Sequence, residues 1–430
     1  MIKMVNYEKQ SIDQLLNRAQ GEKANVTKSV SAMLDDIAKR GDEAILDYCE
    51  KFDGVRPTQL FVTEDEIESA YKAVDSSLLE TMKKSADNIR RYHLQQKRTG
   101  FVDTSKAGVV TGQRILPIQR VGLYVPGGTA RYPSSVLMNA IPAKIAGVSE
   151  IVIITPPDKS GNIPDSILAA AKIAGVEKIV KLGGAQAVAG LAYGTKTLPK
   201  MDKIVGPGNI YVATAKQLAQ SRGLIDIDMI AGPSEILVIA DESANYKHVT
   251  ADLLSQAEHD TLACAWLITT DKELAEQVQL ELELQLEKLP RKEIASASIR
   301  DFGRILIVDS LETAAKLSNE IAPEHLELAV ADPFALLPLI QNAGSVFLGH
   351  NTPEPVGDYF AGPNHTLPTS GTARYSSPLG VDDFIKRSSF IYYSKSALEE
   401  VANDVMRFAT AEGLHAHANA IAIRMKGAEE

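Results

Sequence analysis

Between residues 121 and 235 the chain alternates apolar segments with helical ones, and this alternation restricts the fold more than any other feature. An apolar strand at Ile151-Val-Ile-Ile follows a helical segment, and strand and helix repeat until Lys203-Ile-Val-Gly-Pro-Gly-Asn, after which another helix begins. Strands that alternate with helices of this length indicate βαβ units and a mainly parallel sheet. We therefore predict an α/β fold.

A second alternating set follows the first. It contains Glu235-Ile-Leu-Val-Ile-Ala, a helix over about 246–257, a strand around Trp266, a long helix from Lys272, and two further strands at Arg304-Ile-Leu-Ile-Val and Leu326-Glu-Leu-Ala-Val. A chain of 430 residues is too long for one hydrophobic core, since domains average about 150 residues. Two incomplete Rossmann-like lobes with parallel-rich sheets fit better than one continuous sheet.

The predicted division of the chain has four parts. Residues 1–25 are polar and form an N-terminal segment. Residues 26–120, helical at first, are grouped with residues 236–380 in one discontinuous α/β lobe, and residues 121–235 form the other α/β lobe. Beyond about residue 380 the strands are expected to stop, which leaves residues 381–430 as a helical tail. A tail without a sheet of its own must pack on something, and a dimer interface would bury it.

Charge and composition narrow the range of partners. The formal net charge is -10 and the sequence pI is about 5.4. Nucleic acids and anionic membranes attract basic surfaces, because binding displaces their counterions. Small molecules are therefore the expected partners, without nucleic acid and without a membrane.

The amino terminus and the cysteines bear on location and chemistry. The first ten residues lack the apolar run of a signal peptide, and no apolar stretch approaches the roughly 20 residues of a membrane span. Cys49 and Cys264 are far apart and do not form a disulfide framework. Cys264 lies in a segment that reads as a buried strand, where a thiol is an apolar filler rather than a nucleophile. We expect a cytoplasmic protein without cysteine chemistry.

Two segments carry possible metal ligands. Gln256 and His259 lie three residues apart near the end of a helix, so that both side chains could reach one ligand. Asp358 and His365 lie in a segment rich in glycine and proline that is too apolar for a linker, and such loops commonly line sites. A polar helix surface and a turn capped by Asp358 explain these residues equally well.

Glu324 and His325 stand where a loop enters a strand. An imidazole titrates near neutral pH and burial can raise the pKa of a carboxyl group, so the pair could share the roles of base and water activator. A solvated pair is the alternative. Gly206-Pro-Gly-Asn209 connects a strand to a helix, whose first amides could meet a phosphate or a ribose. The chain has no Gly-x-Gly-x-x-Gly fingerprint, so a plain tight turn remains the alternative there.

The tail contains Glu412-Gly-Leu-His-Ala-His. His415 and His417 are two residues apart and cannot share a helix face. At most one of them is expected to serve a site.

Taken together, these segments resemble the histidinol dehydrogenase family over about residues 26–425. The resemblance is closest in two linked stretches, Ile225-Asp-Ile-Asp-Met-Ile-Ala-Gly-Pro-Ser-Glu-Ile-Leu-Val-Ile-Ala and Asp252-Leu-Leu-Ser-Gln-Ala-Glu-His-Asp. Further matching segments are Val121-Gly-Leu-Tyr-Val-Pro-Gly-Gly, Gly183-Gly-Ala-Gln-Ala, Val205-Gly-Pro-Gly-Asn, Ala322-Pro-Glu-His-Leu-Glu, Gly357-Asp-Tyr and Glu412-Gly-Leu-His-Ala-His.

The resemblance implies a zinc-dependent, NAD-linked dehydrogenase that oxidises L-histidinol through L-histidinal to L-histidine, the last step of histidine biosynthesis. It implies one Zn²⁺ per subunit and a homodimer whose intertwined terminal segments share active sites, with His417 supplied by the other subunit. The implied roles are catalysis by Glu324 and His325, zinc binding by Gln256, His259, Asp358 and His417, and dinucleotide binding by Tyr124, Gln186 and Asn209. The implied substrate contacts are Ser234, Gln256, His259, His325, Asp358, Glu412 and His417.

Three other hypotheses fit the same residues. A zinc hydrolase would also use a metal beside a Glu-His pair, but it needs no dinucleotide. A relative that acts on another amino alcohol would differ only around the substrate's imidazole. A catalytically idle metal-binding protein is disfavoured, because the residue types required for zinc binding and proton transfer are all present.

Overall fold

The computed structural model describes residues 2–6, 23–54, 56–127, 131–230 and 232–425. Within them the chain forms two compact units, Met1–Gln96 with Ile118–Phe384, and Lys97–Pro117 with Ile385–Glu430. The first unit contains two lobes, each built on its own parallel sheet. The predicted α/β fold with parallel-rich sheets is confirmed.

The described strands are β1 (Lys3–Asn6), β2 (Phe101–Asp103), β3 (Val109–Pro117), β4 (Arg120–Tyr124), β5 (Glu150–Thr155), β6 (Lys178–Lys181), β7 (Lys203–Val205), β8 (Asp226–Ile227), β9 (Glu235–Ala240), β10 (Cys264–Thr269), β11 (Arg304–Ile307), β12 (His325–Ala329), β13 (Ser345–Leu348) and β14 (Ile385–Tyr393). The described helices are α1 (Lys23–Arg40), α2 (Asp42–Asp53), α3 (Glu64–Ala73), α4 (Ser76–Leu94), α5 (Pro133–Ala146), α6 (Asp165–Ala174), α7 (Gly184–Tyr193), α8 (Ile210–Ser221), α9 (Tyr246–Ala257), α10 (Lys272–Leu286), α11 (Lys292–Asp301), α12 (Leu311–Ile321), α13 (Pro333–Leu336), α14 (Glu354–Val356), α15 (Lys395–Ala411) and α16 (His415–Met425).

The first lobe has a five-stranded parallel sheet in the order β6-β5-β4-β7-β8. The chain runs outward from β4 to β6 and then crosses back to β7, so the strand order reverses between β4 and β7. Parallel strands end at the same edge of a sheet, and ligands of open α/β sheets bind at that edge where the order reverses. This rule predicts a ligand-binding crevice beyond Tyr124 and Val205.

Helices α1 to α4 pack on this five-stranded sheet, whereas the sequence suggested that residues 26–120 belong with residues 236–380. Ile67 and Ile89 share a core with Val121 on one face. On the other face Leu34 and Ile45 share a core with strands and helices of the same lobe. The apolar spacing of a helix shows which of its faces is buried, but it does not show which sheet that face covers.

The second lobe has a six-stranded parallel sheet in the order β1-β11-β10-β9-β12-β13. Its edge strand β1 lies within the predicted N-terminal segment, of which residues 7–22 lie outside the described residues. Strands β9 and β12 are neighbours, and His325 is paired with Ile236. The amino ends of these two strands therefore lie side by side.

The second compact unit shows that the strands do not stop at residue 380. Strand β14 pairs antiparallel with β3, which also pairs with β2, and α15 and α16 follow. None of the nine residues of β14 is buried. Charged and hydroxyl side chains therefore interrupt its apolar ones, and the strand lacks the continuous apolar run by which the buried strands are recognised.

The cysteines lie in apolar surroundings. Cys264 begins β10, whose six residues are all buried, as predicted. Burial disfavours the thiolate of Cys49 and raises the pKa of its thiol to about 12. Among the described helices, none combines the length and the apolar character that a membrane span requires.

Candidate active site

Three side chains from two separate segments of the second lobe converge at one point. His259, Glu354 and Asp358 each offer a ligand atom, and these atoms all lie within 4.8 Å of one another. His259 lies just beyond the end of α9, and its backbone N–H donates to the carbonyl of Gln256 at 3.2 Å. Asp358 lies in a π-helical turn, Gly357–Ala361, that follows α14. Such wide turns are frequent at functional sites.

Gln256, in the last turn of α9, adds a buried oxygen three residues before His259. Its side chain is 1% exposed, and its Oε1 atom has no hydrogen-bond partner among the described residues. A buried polar atom without a partner is costly, which is a reason to expect a ligand there. An amide oxygen, an imidazole and a carboxylate suit Zn²⁺, so the described residues fit the implied metal.

The carboxyl groups of the cluster influence each other. Burial and the neighbouring Asp358 raise the pKa of Glu354 to about 8. Burial raises the pKa of Asp358 to about 6, although its hydrogen bond with Glu354 opposes the shift. Ser255 donates to Glu354 Oε2 at 3.1 Å, and the Glu354 N–H donates to Glu327 Oε1 at 2.7 Å. Glu354 is thus fixed between α9 and β12.

His325 presents one ring nitrogen to the cluster. Its Nδ1–H donates to the carbonyl of Glu235 at 3.0 Å, because a carbonyl can only accept. That contact leaves Nε2 with its lone pair, 3.9 Å from Asp358 Oδ1 and without a hydrogen-bond partner among the described residues. Burial lowers the pKa of His325 to about 3, so the ring is neutral. A neutral imidazole with a free Nε2 has the form of a general base.

Glu324 lies beside His325, where the loop enters β12 as predicted. Its Oε2 accepts from the Glu235 N–H at 2.8 Å and lies 3.6 Å from His325 Nδ1. Burial raises the pKa of this carboxyl group well above its usual value, which suits a group that exchanges a proton near neutral pH. Ser234 directly precedes β9 at the same edge.

The segment after Asp358 is attached to two helices of the first lobe. The Ser85 hydroxyl of α4 donates to the Tyr359 carbonyl at 2.6 Å. The His365 Nδ1–H donates to the Asp358 carbonyl at 3.1 Å, and its Nε2 lies 3.2 Å from Ser135 Oγ of α5. Asn364 Nδ2 donates to the Met138 carbonyl of α5 at 2.6 Å. His365 therefore ties Asp358 to α5, and both of its ring nitrogens already have partners in the protein.

Two of the predicted dinucleotide residues lie at the carboxyl edge of the first lobe. Tyr124 ends β4, and its hydroxyl accepts from the Gly184 N–H at the start of α7 at 3.0 Å. Burial raises the pKa of Tyr124 to about 12, so the phenol is neutral. Gln186 is 2% exposed and its Nε2 donates to Asp53 Oδ2 at 3.2 Å. Both side chains are thus engaged with the protein itself.

The third of these residues, Asn209, is the exposed N-cap of α8. Its side-chain oxygen accepts from the N–H groups of Tyr211 and Val212 at 3.1 and 3.2 Å. It lies in the loop that follows β7, opposite the end of β4. The three residues therefore surround the point where the strand order of the five-stranded sheet reverses.

Glu412 and His417 belong to the other compact unit. Glu412 is the C-cap of α15, and His417 lies in the first turn of α16, two residues after His415. All three side chains are exposed. The first unit itself thus brings together Gln256, His259, Asp358, Glu324 and His325.

Sequence reasoning missed Glu354. The usable signal was its spacing of four residues from Asp358 in Glu354-Pro-Val-Gly-Asp, which places the two on one face if the segment is helical. The high glycine and proline content of the segment argued against a helix, so this signal was not apparent.

Comparisons with known proteins show which family the chain belongs to. The family model described as histidinol dehydrogenase matches residues 16–425. Histidinol dehydrogenase of Bacillus cereus is 56% identical over 401 residues, 93% of each chain, and that of Clostridium acetobutylicum is 53% identical over 414 residues, 96% of each chain. The crystal structure of histidinol dehydrogenase from Elizabethkingia anophelis has a TM-score of 0.93 at 41% identity and covers 99% of this chain and 98% of its own. The chain belongs to the histidinol dehydrogenase family.

Proposed function

We propose that this chain oxidises L-histidinol through L-histidinal to L-histidine and transfers two hydrides to NAD⁺, the last step of histidine biosynthesis in the cytoplasm. The observation that carries the proposal is the free Nε2 of His325, which faces a set of metal-ligand atoms from His259, Glu354 and Asp358. A base beside side chains that can bind a metal ion can take a proton from a hydroxyl group that the bound ion would hold in place.

Gln256, His259 and Asp358 are our proposed zinc ligands from one subunit. The unpartnered Oε1 of Gln256 and the closeness of His259 to Asp358 support this choice. Bound Zn²⁺ would supply a positive charge that holds the nitrogen atoms of the substrate. Glu354, hydrogen-bonded to Asp358 and Ser255, would orient the Asp358 carboxylate for a bound metal ion.

In the first oxidation, His325 Nε2 takes the proton of the carbinol hydroxyl while the carbinol hydrogen leaves as hydride to NAD⁺. The carbonyl of Glu235 holds Nδ1–H, so the base nitrogen keeps its lone pair and its direction. Ser234, at the start of β9 beside this base, is a proposed substrate contact. Burial excludes water that would otherwise compete for Nε2.

In the second oxidation, Glu324 takes a proton from the water that adds to the aldehyde. The protonated His325 returns its proton to the aldehyde oxygen, which gives the neutral hydrate. Neutral His325 then removes a hydroxyl proton of the hydrate as the second hydride leaves to NAD⁺, which gives a carboxylic acid, and the acid loses its remaining proton to the solvent. The Glu235 N–H that donates to Glu324 holds this carboxyl group beside the imidazole. His325 thus serves both oxidations, whereas Glu324 serves only the second.

We place NAD⁺ at the carboxyl edge of the five-stranded sheet, between the ends of β4 and β7. The reversal of strand order there supports this placement. Tyr124, Gln186 and Asn209 surround the crevice, and two helices begin beside it. Backbone N–H groups at helix starts suit a pyrophosphate.

A second copy of the chain would complete the site in a homodimer. In this arrangement His417 from that copy is the fourth zinc ligand, and Glu412 contacts the substrate. Both residues are exposed in the second compact unit, whose helices also expose Phe408 and Ile423. A homodimer would cover these apolar side chains.

The proposed reaction predicts two NADH for each histidine formed. Zinc-loaded protein is mixed with L-histidinol and NAD⁺, and both products are measured with and without a metal chelator. We expect chelation to abolish turnover and added zinc to restore it. Turnover that does not depend on NAD⁺ would indicate a hydrolase instead, and folded, zinc-loaded protein that forms no NADH would exclude histidinol as the substrate.

Glu324→Gln is expected to separate the two oxidations. Glutamine keeps the hydrogen bond from the Glu235 N–H but cannot accept a proton from water, so oxidation of L-histidinal should slow by roughly 10²-fold. Oxidation of L-histidinol should change much less. Single-turnover rates from each substrate measure the two effects separately, and equal losses would contradict this division of roles.

A further inference from the structure

A fully buried ion pair lies directly behind the proposed dinucleotide crevice. Lys216 of α8 contacts Asp228, which follows β8, and both side chains are only 2% exposed. Isolated buried charges are strongly unfavourable and are kept only with good partners. The pair has such partners in the loop that connects β7 to α8.

Lys216 and Asp228 hold both polar groups of Gly206. Asp228 Oδ2 accepts from the Gly206 N–H at 2.7 Å, and Lys216 Nζ donates to the Gly206 carbonyl at 2.9 Å. The ion pair therefore fixes the orientation of the peptide groups on both sides of this residue. Asn209, a proposed dinucleotide contact, is three residues further along the same loop.

Gly206 also lies against the other side of the crevice. Its φ of +106° is rarely adopted by other residues, and a Cβ atom there would lie 2.1 Å from the carbonyl oxygen of Tyr124. The loop thus runs directly over the end of β4. A small rotation of the Gly206 peptides would displace it from Tyr124 and shift the start of α8.

We propose that Lys216 and Asp228 are positioning residues for NAD⁺, which hold the Gly206–Asn209 loop in the shape that binds the dinucleotide. This inference rests on the proposed function and adds a role for two residues that do not themselves contact the ligand. It predicts that the pair controls the KM for NAD⁺ more than the kcat or the KM for histidinol.

Two variants separate positioning from stability. In Lys216→Met/Asp228→Leu, apolar side chains replace the ion pair, a change that often leaves stability unaltered, but both hydrogen bonds to Gly206 are lost. We expect a Tm near that of the wild type and a KM for NAD⁺ raised roughly tenfold or more, with kcat at saturating NAD⁺ nearly unchanged.

Asp228→Asn should behave in the opposite way. An amide oxygen can still accept from the Gly206 N–H and Lys216 can still donate to the carbonyl, but the buried ammonium group loses its counter-charge. We expect a lower Tm with a KM for NAD⁺ within about threefold of the wild type. Lys203→Met is the matched control, since Lys203 pairs with Asp226 at 3.0 Å at the opposite end of β7 and should leave the KM for NAD⁺ unchanged.

These measurements distinguish a failure of the positioning inference from a failure of the proposed reaction. If the wild type forms no NADH from histidinol, the proposed function fails whatever the variants do. If the wild type is active, a double variant that folds with an unchanged KM for NAD⁺ overturns the inference. If the KM for NAD⁺ rises only as far as Tm falls in both variants, or if the double variant does not fold, the ion pair serves stability alone. Either result also overturns the inference.

Discussion

His325→Asn is expected to lower the turnover of both L-histidinol and L-histidinal by about 10³- to 10⁴-fold, the upper part of the range for loss of a general base. Asparagine has no basic nitrogen to replace Nε2. This atom faces the ligand atoms of His259, Glu354 and Asp358 and has no hydrogen-bond partner among the described residues. Both oxidations remove a hydroxyl proton, so both half-reactions should be affected. Single-turnover NADH formation from each substrate measures them separately.

The control for this variant is His350→Asn. His350 is exposed in the same lobe, beyond the end of β13, and its Nε2 lies 3.1 Å from Ser243 Oγ. It should keep wild-type rates. His325→Asn rates within tenfold of the wild type, or a loss confined to one of the two substrates, would remove His325 as the common base. Zinc content should remain normal, because His325 is not among the proposed ligands.

His259→Asn is expected to weaken zinc binding by more than about 10²-fold, because even changes to groups that merely support a metal ligand cost 10- to 100-fold. Turnover at a limiting zinc concentration should fall as well, because less of the protein then holds zinc. The ligand atom of His259 lies within 4.8 Å of those of Glu354 and Asp358. Without the imidazole, the remaining proposed ligands, which are Asp358, Gln256 and His417 of the partner subunit, would hold the ion less tightly. Zinc per subunit after dialysis, together with a competitive chelator titration, gives the affinity.

The matched control is His248→Asn, on the exposed side of the same helix α9. This variant should retain zinc and turnover at wild-type levels. A His259→Asn protein that keeps one zinc per subunit through the chelator titration would show that the cluster is not the zinc site. Thermal unfolding with and without added zinc provides a second measure, since zinc bound only to the folded state raises Tm.

Several parts of the fold could be predicted because they depend on neighbours in the sequence. Helix α9 runs over Tyr246–Ala257, as its apolar spacing predicted, and β10 begins at the buried Cys264. The position of Glu324 and His325, where a loop enters a strand, could also be predicted from neighbouring residues. Alternation, apolar runs and turn residues are short-range properties, so they specify which elements form and what they bury.

Other parts depend on contacts between residues far apart in the chain. The packing of α1 to α4 on the five-stranded sheet is one example, and the strand β14, which pairs with β3, is another. A helix or an exposed strand carries little information about its partner. The partner is chosen by complementary surfaces and by the removal of apolar area from water, which involve elements up to hundreds of residues away.

In the candidate site, too, some features could be predicted from the sequence and others depend on contacts between distant residues. Residue types in the family motifs indicated Gln256, His259, Glu324, His325 and Asp358, and the resemblance assigned their roles. Only the tertiary structure placed Glu354 beside Asp358, left Nε2 of His325 free, and joined Lys216 and Asp228 around Gly206. Sequence determined the local elements and the chemical groups they carry, whereas distances, burial and pKa shifts depend on through-space contacts that exist only after the lobes have packed.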